Sequence, residues 1–240
     1  MSNNTECVTN GDTLLHEAVR NRNLEVAKKC IEEGMDPNIK NNDGLTPLHI
    51  AAKSGYVELM EYLINDLTLN VRTNEGNTAL YLAILHGHKE ASRLLLQHGA
   101  DIHIKGSDGF LPLHIAARYG YASLIKDLSD DSIINAPTPT GSTALHLAVS
   151  SNQLESVQVL VELKARINVG NKNGFTPLHT AVNCDYRDII IYLIGHGADT
   201  NIAPKVQFKL ENSDEYDYDV GYNDGYSQGL EDGKGNGDGN

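Results

Sequence analysis

Five histidines recur in one short pattern: His16, His49, His114, His146 and His179 each follow a leucine and stand two residues before an alanine. Tyr81 takes the same place in a sixth copy. A row of imidazoles suggests a metal ladder. A register of about 33 residues sets successive rings one structural unit apart, too far for two nitrogens to share an ion. His86 and His88, in LHGHKE, are spaced i, i+2 and diverge on a helix. Cys184 has His179 five residues before it, but a thiol nucleophile needs a histidine free to activate it, and His179 belongs to the recurring pattern. Cys184 therefore reads as a plain thiol, and Cys30, in an apolar row, as core. Ser107 and Ser142 lie in turns, and neither a GxSxG elbow nor a GxxxxGK[ST] phosphate loop is present. The acidic run EYDYDVGYNDG fails the calcium-loop spacing, since Gly221 follows Asp217 and Asp219. No catalytic residue, cofactor or metal is expected.

The elements that hold these histidines are themselves repeated. GDTLLHEAV from Gly11, GLTPLHIAA from Gly44, GNTALYLAI from Gly76, GFLPLHIAA from Gly109, GSTALHLAV from Gly141 and GFTPLHTAV from Gly174 are six versions of one segment. The glycines are 33, 32, 33, 32 and 33 residues apart. In the second copy Gly44 supplies a turn, Thr46 can cap a helix and Pro47 suits its first position. Leu48, Ile50, Ala51 and Ala52 then form a short packed helix that Gly55 breaks. A second helix, Val57 to Ile64, carries Leu59, Met60, Leu63 and Ile64 at helical spacing. One such helix pair cannot bury its apolar face alone; stacked neighbours can.

Period, motif and helix pattern together resemble the ankyrin repeat over about residues 5–203. The resemblance implies an all-α solenoid of about six helix-turn-helix repeats joined by β-hairpin-like loops. The copies fall near 8–40, 41–72, 73–105, 106–137, 138–170 and 171–203, within a domain spanning 1–203. It also implies that the TPLH histidine hydrogen-bonds between neighbouring hairpins. The array is expected to be concave on the side of the hairpin tips and first helices, where variable positions read a partner.

The copies differ at their ends. The second helix runs into glycine in copies one (Gly34), three (Gly99) and six (Gly197), and into Lys164 in copy five. Copies two and four lack that residue and are the two 32-residue copies, so small irregularities are expected at their joints. Pro137 and Pro139 should stiffen the hairpin leaving copy four. In copy six IIIYLIGHG from Ile189 is too apolar for an exposed end, so Lys205–Leu210 or a second chain is expected to cover it. The sequence leaves the oligomeric state open.

Residues 204–240 carry nine acids, three lysines and seven glycines, which predicts a flexible acidic tail. Gly221, Gly225, Gly229, Gly233 and Gly237 recur every four residues, as do Tyr218, Tyr222 and Tyr226, so a segment that turns helical on a partner is the other reading. The formal charge of −13 disfavours nucleic acid and anionic membrane surfaces. No apolar run reaches the roughly 18 residues of a membrane span, and MSNNTECVTNGDT lacks a signal-peptide core. Three cysteines without CxxC spacing fit a reducing compartment, so the expected location is cytoplasmic. Twenty-three asparagines and no tryptophan fit an AT-rich genome, as in intracellular bacteria or large viruses. Ankyrin proteins of such sources are often effectors, which would make the cytoplasm that of a host cell.

The expected function is a non-enzymatic protein–protein interaction module, an effector or scaffold. The alternative is an adaptor or regulatory subunit of an enzyme complex, with the tail as its second docking element. The candidate partner-binding residues flank the turn glycines and close the first helices: Leu45, Lys53, Leu85, His86, Phe110, Arg118, Tyr119 and Phe175. Phe110 and Phe175, two of three phenylalanines, both follow a turn glycine. An aromatic ring at a solvent-facing tip suggests a partner that covers it.

Overall fold

The computed structural model describes residues 9–201. After a 3-10 turn at Thr9–Gly11 come α1 (Leu14–Arg20), α2 (Leu24–Glu32), α3 (Pro47–Ser54), α4 (Val57–Leu63), α5 (Ala79–Leu85) and α6 (Lys89–Gln97). The second half holds α7 (Pro112–Arg118), α8 (Ala122–Ile125), α9 (Ala144–Ser150), α10 (Leu154–Glu162), α11 (Pro177–Asn183) and α12 (Arg187–Gly195). Among the described residues there is no strand. The helices form six consecutive pairs, and each pair stacks on the next.

Each first helix starts where the sequence places it. Thr13, Thr46, Thr78 and Thr176 accept the backbone amide three residues on, which satisfies a donor the helix leaves open. Pro47, Pro112 and Pro177 occupy first-turn positions, where a missing N–H costs nothing. Copy four departs here, because Leu111 replaces the threonine and offers no side-chain cap.

The loops between pairs close as five-residue turns. Asn41 donates its amide to Leu45 O at 2.9 Å, Thr73 to Asn77 O at 2.9 Å, Gly106 to Phe110 O at 2.9 Å, Thr138 to Ser142 O at 2.8 Å and Asn171 to Phe175 O at 2.9 Å. Tips also bond to one another: Asn42 N to Asn10 O, Asn74 N to Asp43 O and Lys172 N to Thr140 O. Gly44 needs its freedom twice over. Its φ is +74°, and a Cβ there would lie 2.5 Å from the backbone nitrogen of Asn74.

Stacking buries one forward-facing position per copy. Val19, Ala52, Ile84, Ala117 and Val149 are all 0% exposed, and Ala51, Ala83, Ala116 and Ala148 let the helices approach closely. The equivalent residue of the last pair, Val182, is 56% exposed because no further pair lies against it among the described residues.

The joints of copies two and four are irregular, as their lengths require. Gly34, Gly99 and Gly197 follow their helices at φ +85°, +83° and +91°, and Lys164 adopts +66°. By contrast α4 leaves into extended backbone at Ile64, with φ −77° and ψ 124°, and α8 is four residues long. Both short joints lack the left-handed cap, and their second helices run seven and four residues against nine in the full copies.

Candidate interaction surface

The recurring histidines are structural bolts. The Thr46 amide donates to His49 Nδ1 at 3.1 Å, so the ring proton sits on Nε2, which donates to Val71 O at 2.9 Å. His16 reaches Leu45 O at 3.0 Å, His114 reaches Ala136 O at 2.9 Å and His146 reaches Phe175 O at 3.0 Å. Each ring thus ties one first helix to the loop entering the next copy. Burial dominates its titration. His49 is pushed down to about 4, opposed in part by its bond to Val71, and His16 is lowered for the same reason.

Copy three uses another bolt. Tyr81 is 2% exposed and its hydroxyl donates to Asp108 Oδ2 at 2.6 Å. The ring fills space that a side chain on Gly106 would need, since a Cβ there would stand 2.4 Å from it. Tyr81 and Gly106 are therefore a matched pair. Sequence reading passed over it, although both break their repeat rows: tyrosine among histidines, and glycine where Asn41, Thr73, Thr138 and Asn171 stand.

The candidate partner-binding residues occupy two rows. Leu45, Phe110 and Phe175 stand at the hairpin tips. Lys53, Leu85, His86, Arg118 and Tyr119 close α3, α5 and α7. Lys53 is exposed, and Leu45, Leu85, His86, Arg118, Tyr119 and Phe175 are half-buried. Phe110 departs from expectation. It is 7% exposed, with its ring edge-on to His114 at 5.8 Å between centroids. Its apolar area is spent on its own repeat, which corrects the reading of an open aromatic tip. Phe175 meets His179 in the same way at 6.0 Å but keeps more of its surface.

Lys53, His86 and His88 come together. His88 Nε2 donates to Lys53 O at 2.9 Å, and burial first, then Lys53 and His88, holds His86 at about 4. A row of rings that sequence reading did not single out runs beside them. Tyr56, His88, Tyr121 and Tyr186 precede the second helices. Tyr119 stacks on Tyr121 at 6.0 Å and 21°, Arg22 lies 5.6 Å over Tyr56, and Lys89 lies 5.2 Å over Tyr121. The residue after each turn at positions 55, 87, 120 and 152 held the signal, since aromatic or amide side chains recur there.

A family model described as ankyrin repeats (3 copies) matches residues 15–106, 66–138 and 113–203. The chain belongs to the ankyrin-repeat family. Among curated relatives, it is 29% identical over 191 residues to palmitoyltransferase AKR1 of Lachancea kluyveri, covering 77% of this chain and 22% of that one. It is 27% identical over 172 residues to neurogenic locus notch homolog protein 1 of Homo sapiens, covering 71% and 6%. This chain thus spans about a fifth or less of these relatives. Among solved structures, the ankyrin repeat domain of Bcl-3, a member of the IkappaB protein family, superposes with a TM-score of 0.71 at 28% identity, covering 81% of this chain and 90% of that one. The human ASB11 ankyrin repeat domain gives 0.70 at 26% identity, covering 81% and 88%.

Ankyrin repeats are typically non-enzymatic modules of protein–protein interaction. Cys184 caps α11 at the exposed surface and Cys30 is buried. No group of three His, Cys, Asp or Glu among the described residues is placed to hold a metal ion. No described helix is long and apolar enough to cross a membrane. Residues Lys205–Leu210, expected over the end of the array, and the glycine- and tyrosine-rich stretch beyond them lie outside the described residues.

Proposed function

We propose that this ankyrin array captures a partner protein across the ends of α3, α5 and α7 and the tips beside them, without catalysing a reaction. Lys53, Leu85, His86, Arg118 and Tyr119 carry the contact, with Leu45 and Phe175 extending it along the tips. Phe110 shapes the floor beneath copy four rather than meeting the partner. The observation that carries this reading is the double locking of the frame. Backbone carbonyls of Leu45 and Phe175 are each held by a buried histidine of the preceding copy, while the side chains keep part of their surface. A frame fixed in advance loses little freedom on binding. Tyrosine and arginine at one helix end are residue types that dominate interface energetics. The exposed free thiol of Cys184 fits a reducing, cytoplasmic setting.

The test is a double substitution. Arg118→Ala with Tyr119→Ala is expected to weaken partner capture by about thirtyfold or more, on the order of 2 kcal/mol. The thermal midpoint should fall by only a few degrees, since Tyr119 gives up its stacking on Tyr121 and part of its packed surface while the core stays intact. Glu61→Ala, on the outer side of α4, should leave capture unchanged. Intact capture by the double variant, or loss in Glu61→Ala alone, would reject the assignment.

A further inference from the structure

After each second helix the loop carries a residue that can reach the next copy. It is asparagine at Asn38, Asn70, Asn135 and Asn168, and His103 in copy three. Three of the asparagines do the same thing. Asn70 Oδ1 accepts the amide of Asp101 at 2.9 Å, Asn135 Oδ1 that of Arg166 at 2.7 Å and Asn168 Oδ1 that of Asp199 at 2.9 Å. All three bonds lead into copies that keep the full loop.

The two shortened copies cannot return that bond. The equivalent amides, Thr68 and Ile133, are turned back into their own loops. Thr68 N donates to Asn65 O and Oδ1 at 3.0 and 3.1 Å, and Ile133 N to Asp130 O and Oδ1 at 3.3 and 3.1 Å. At the first short joint the consequence is an orphan, since Asn38 Oδ1 is buried with no hydrogen-bond partner. At the second, both sides of the joint have changed. His103 stands in place of asparagine, and Asp130 stands where copy two has Asn65. The longer ring spans the gap: Nε2 lies 2.9 Å from Asp130 Oδ2, and Nδ1 lies 3.0 Å from Asp101 Oδ1. Ser132 Oγ is 3.3 Å from Nε2 and also donates to Asp130 Oδ1 at 2.6 Å.

Carboxylates only accept, so two carboxylate contacts require a hydrogen on each ring nitrogen. We propose that His103 is a proton-operated clasp between copies three and four, joining them as an imidazolium held by Asp101 and Asp130. The neutral ring has one N–H for two carboxylates and must release one of them. Only Asp130 lies across the joint, so loss of the proton weakens the joint either by freeing Asp130 or by removing the ring charge that strengthens its bond. Arg93 and Asp127 line the same notch. Arg93 faces Glu90 at 3.6 Å and donates to Ser123 Oγ at 3.0 Å, while Asp131 adds a further negative charge to the loop. The Asp101 bond foremost, then Asp130, raises the His103 pKa.

The sign follows from that direction. A histidine raised on folding contributes fully below its unfolded value near 6.5, and the contribution is lost as pH rises through the higher folded value. The ladder histidines His16 and His49 act in the opposite sense. The clasp concerns the joint itself and stands whatever partner the outer surface captures.

Titration of the full chain by NMR tests it, following the ring of His103 in the wild type and in Asp130→Asn. The expected midpoint lies above 6.5 and moves down in Asp130→Asn. Hydrogen exchange of the Ser132–Ile134 amides, corrected for intrinsic rate, supplies the second readout. Protection should fall as pH rises through the His103 midpoint, and that pH dependence should vanish in His103→Gln. A midpoint at or below 6.5, a midpoint unmoved by Asp130→Asn, or pH-dependent protection that persists in His103→Gln would overturn the clasp.

Discussion

His49 shows what a buried ring costs and returns. Its Nδ1 is already taken by the Thr46 amide, so a second proton has no place to bind without breaking that bond. The depressed value near 4 follows from burial. A proton binds the unfolded chain near pH 6.5 but the folded one only near 4, so stability falls as pH drops through that window. The full effect is about 3 kcal/mol for His49. Urea unfolding at pH 7 and pH 4.5 should show a wild-type advantage over His49→Asn that shrinks in acid. At Gly106 the expected defect is steric. Gly106→Ala drives a methyl group into the Tyr81 ring, costing about 1–3 kcal/mol by over-packing. Tyr81→His combined with Gly106→Asn, the residues the other copies use, should recover most of the loss in the same unfolding assay. The histidine rows, the thiols and the caps were legible from residue type and spacing, because each answers a local backbone requirement. Phe110 was not, since whether a tip ring points outward or onto its own His114 depends on packing that no spacing records. The His103–Asp130 exchange escaped notice because its meaning appears only when two loops of unequal length lie side by side.

Helix ends carry the differences between copies. Where the chain keeps 33 residues, the second helix closes on a left-handed residue, and glycine takes that conformation without strain. Lys164 holds it at φ +66° with a side chain attached. Lys164→Gly should raise stability by about 0.5–1 kcal/mol, relieving the left-handed strain net of the extra backbone entropy glycine loses. Thermal unfolding reads this directly, and a fall in midpoint would show that the Lys164 side chain contributes packing that outweighs the strain. Element lengths in full copies follow from the periodic pattern. The four-residue α8 does not, since copy two lacks the same loop residue and α4 still runs seven residues.

At the scale of the molecule, stability is a sum over joints, and the two ends differ from the middle. Val149 and Val182 hold the same place in successive copies, one fully buried and one 56% exposed. Val149→Ala should cost about 1–3 kcal/mol, and Val182→Ala less than about 0.5 kcal/mol. Equal costs in chemical unfolding would mean that something covers the last pair. Ile191, 70% exposed, stands on α12 where the other copies carry Lys28, Glu61, Arg93, Lys126 and Gln158. The same repetition that makes the architecture readable leaves the partner's identity unreadable, because recognition rests on positions free to vary.

Capture across the first-helix ends is read out by hydrogen exchange on the partner-bound array. New protection is expected at residues 53–54, 85–86 and 118–119, with the outer sides of α4, α6 and α10 unchanged. Protection confined to those second helices, with the first-helix ends still exchanging freely, would contradict it.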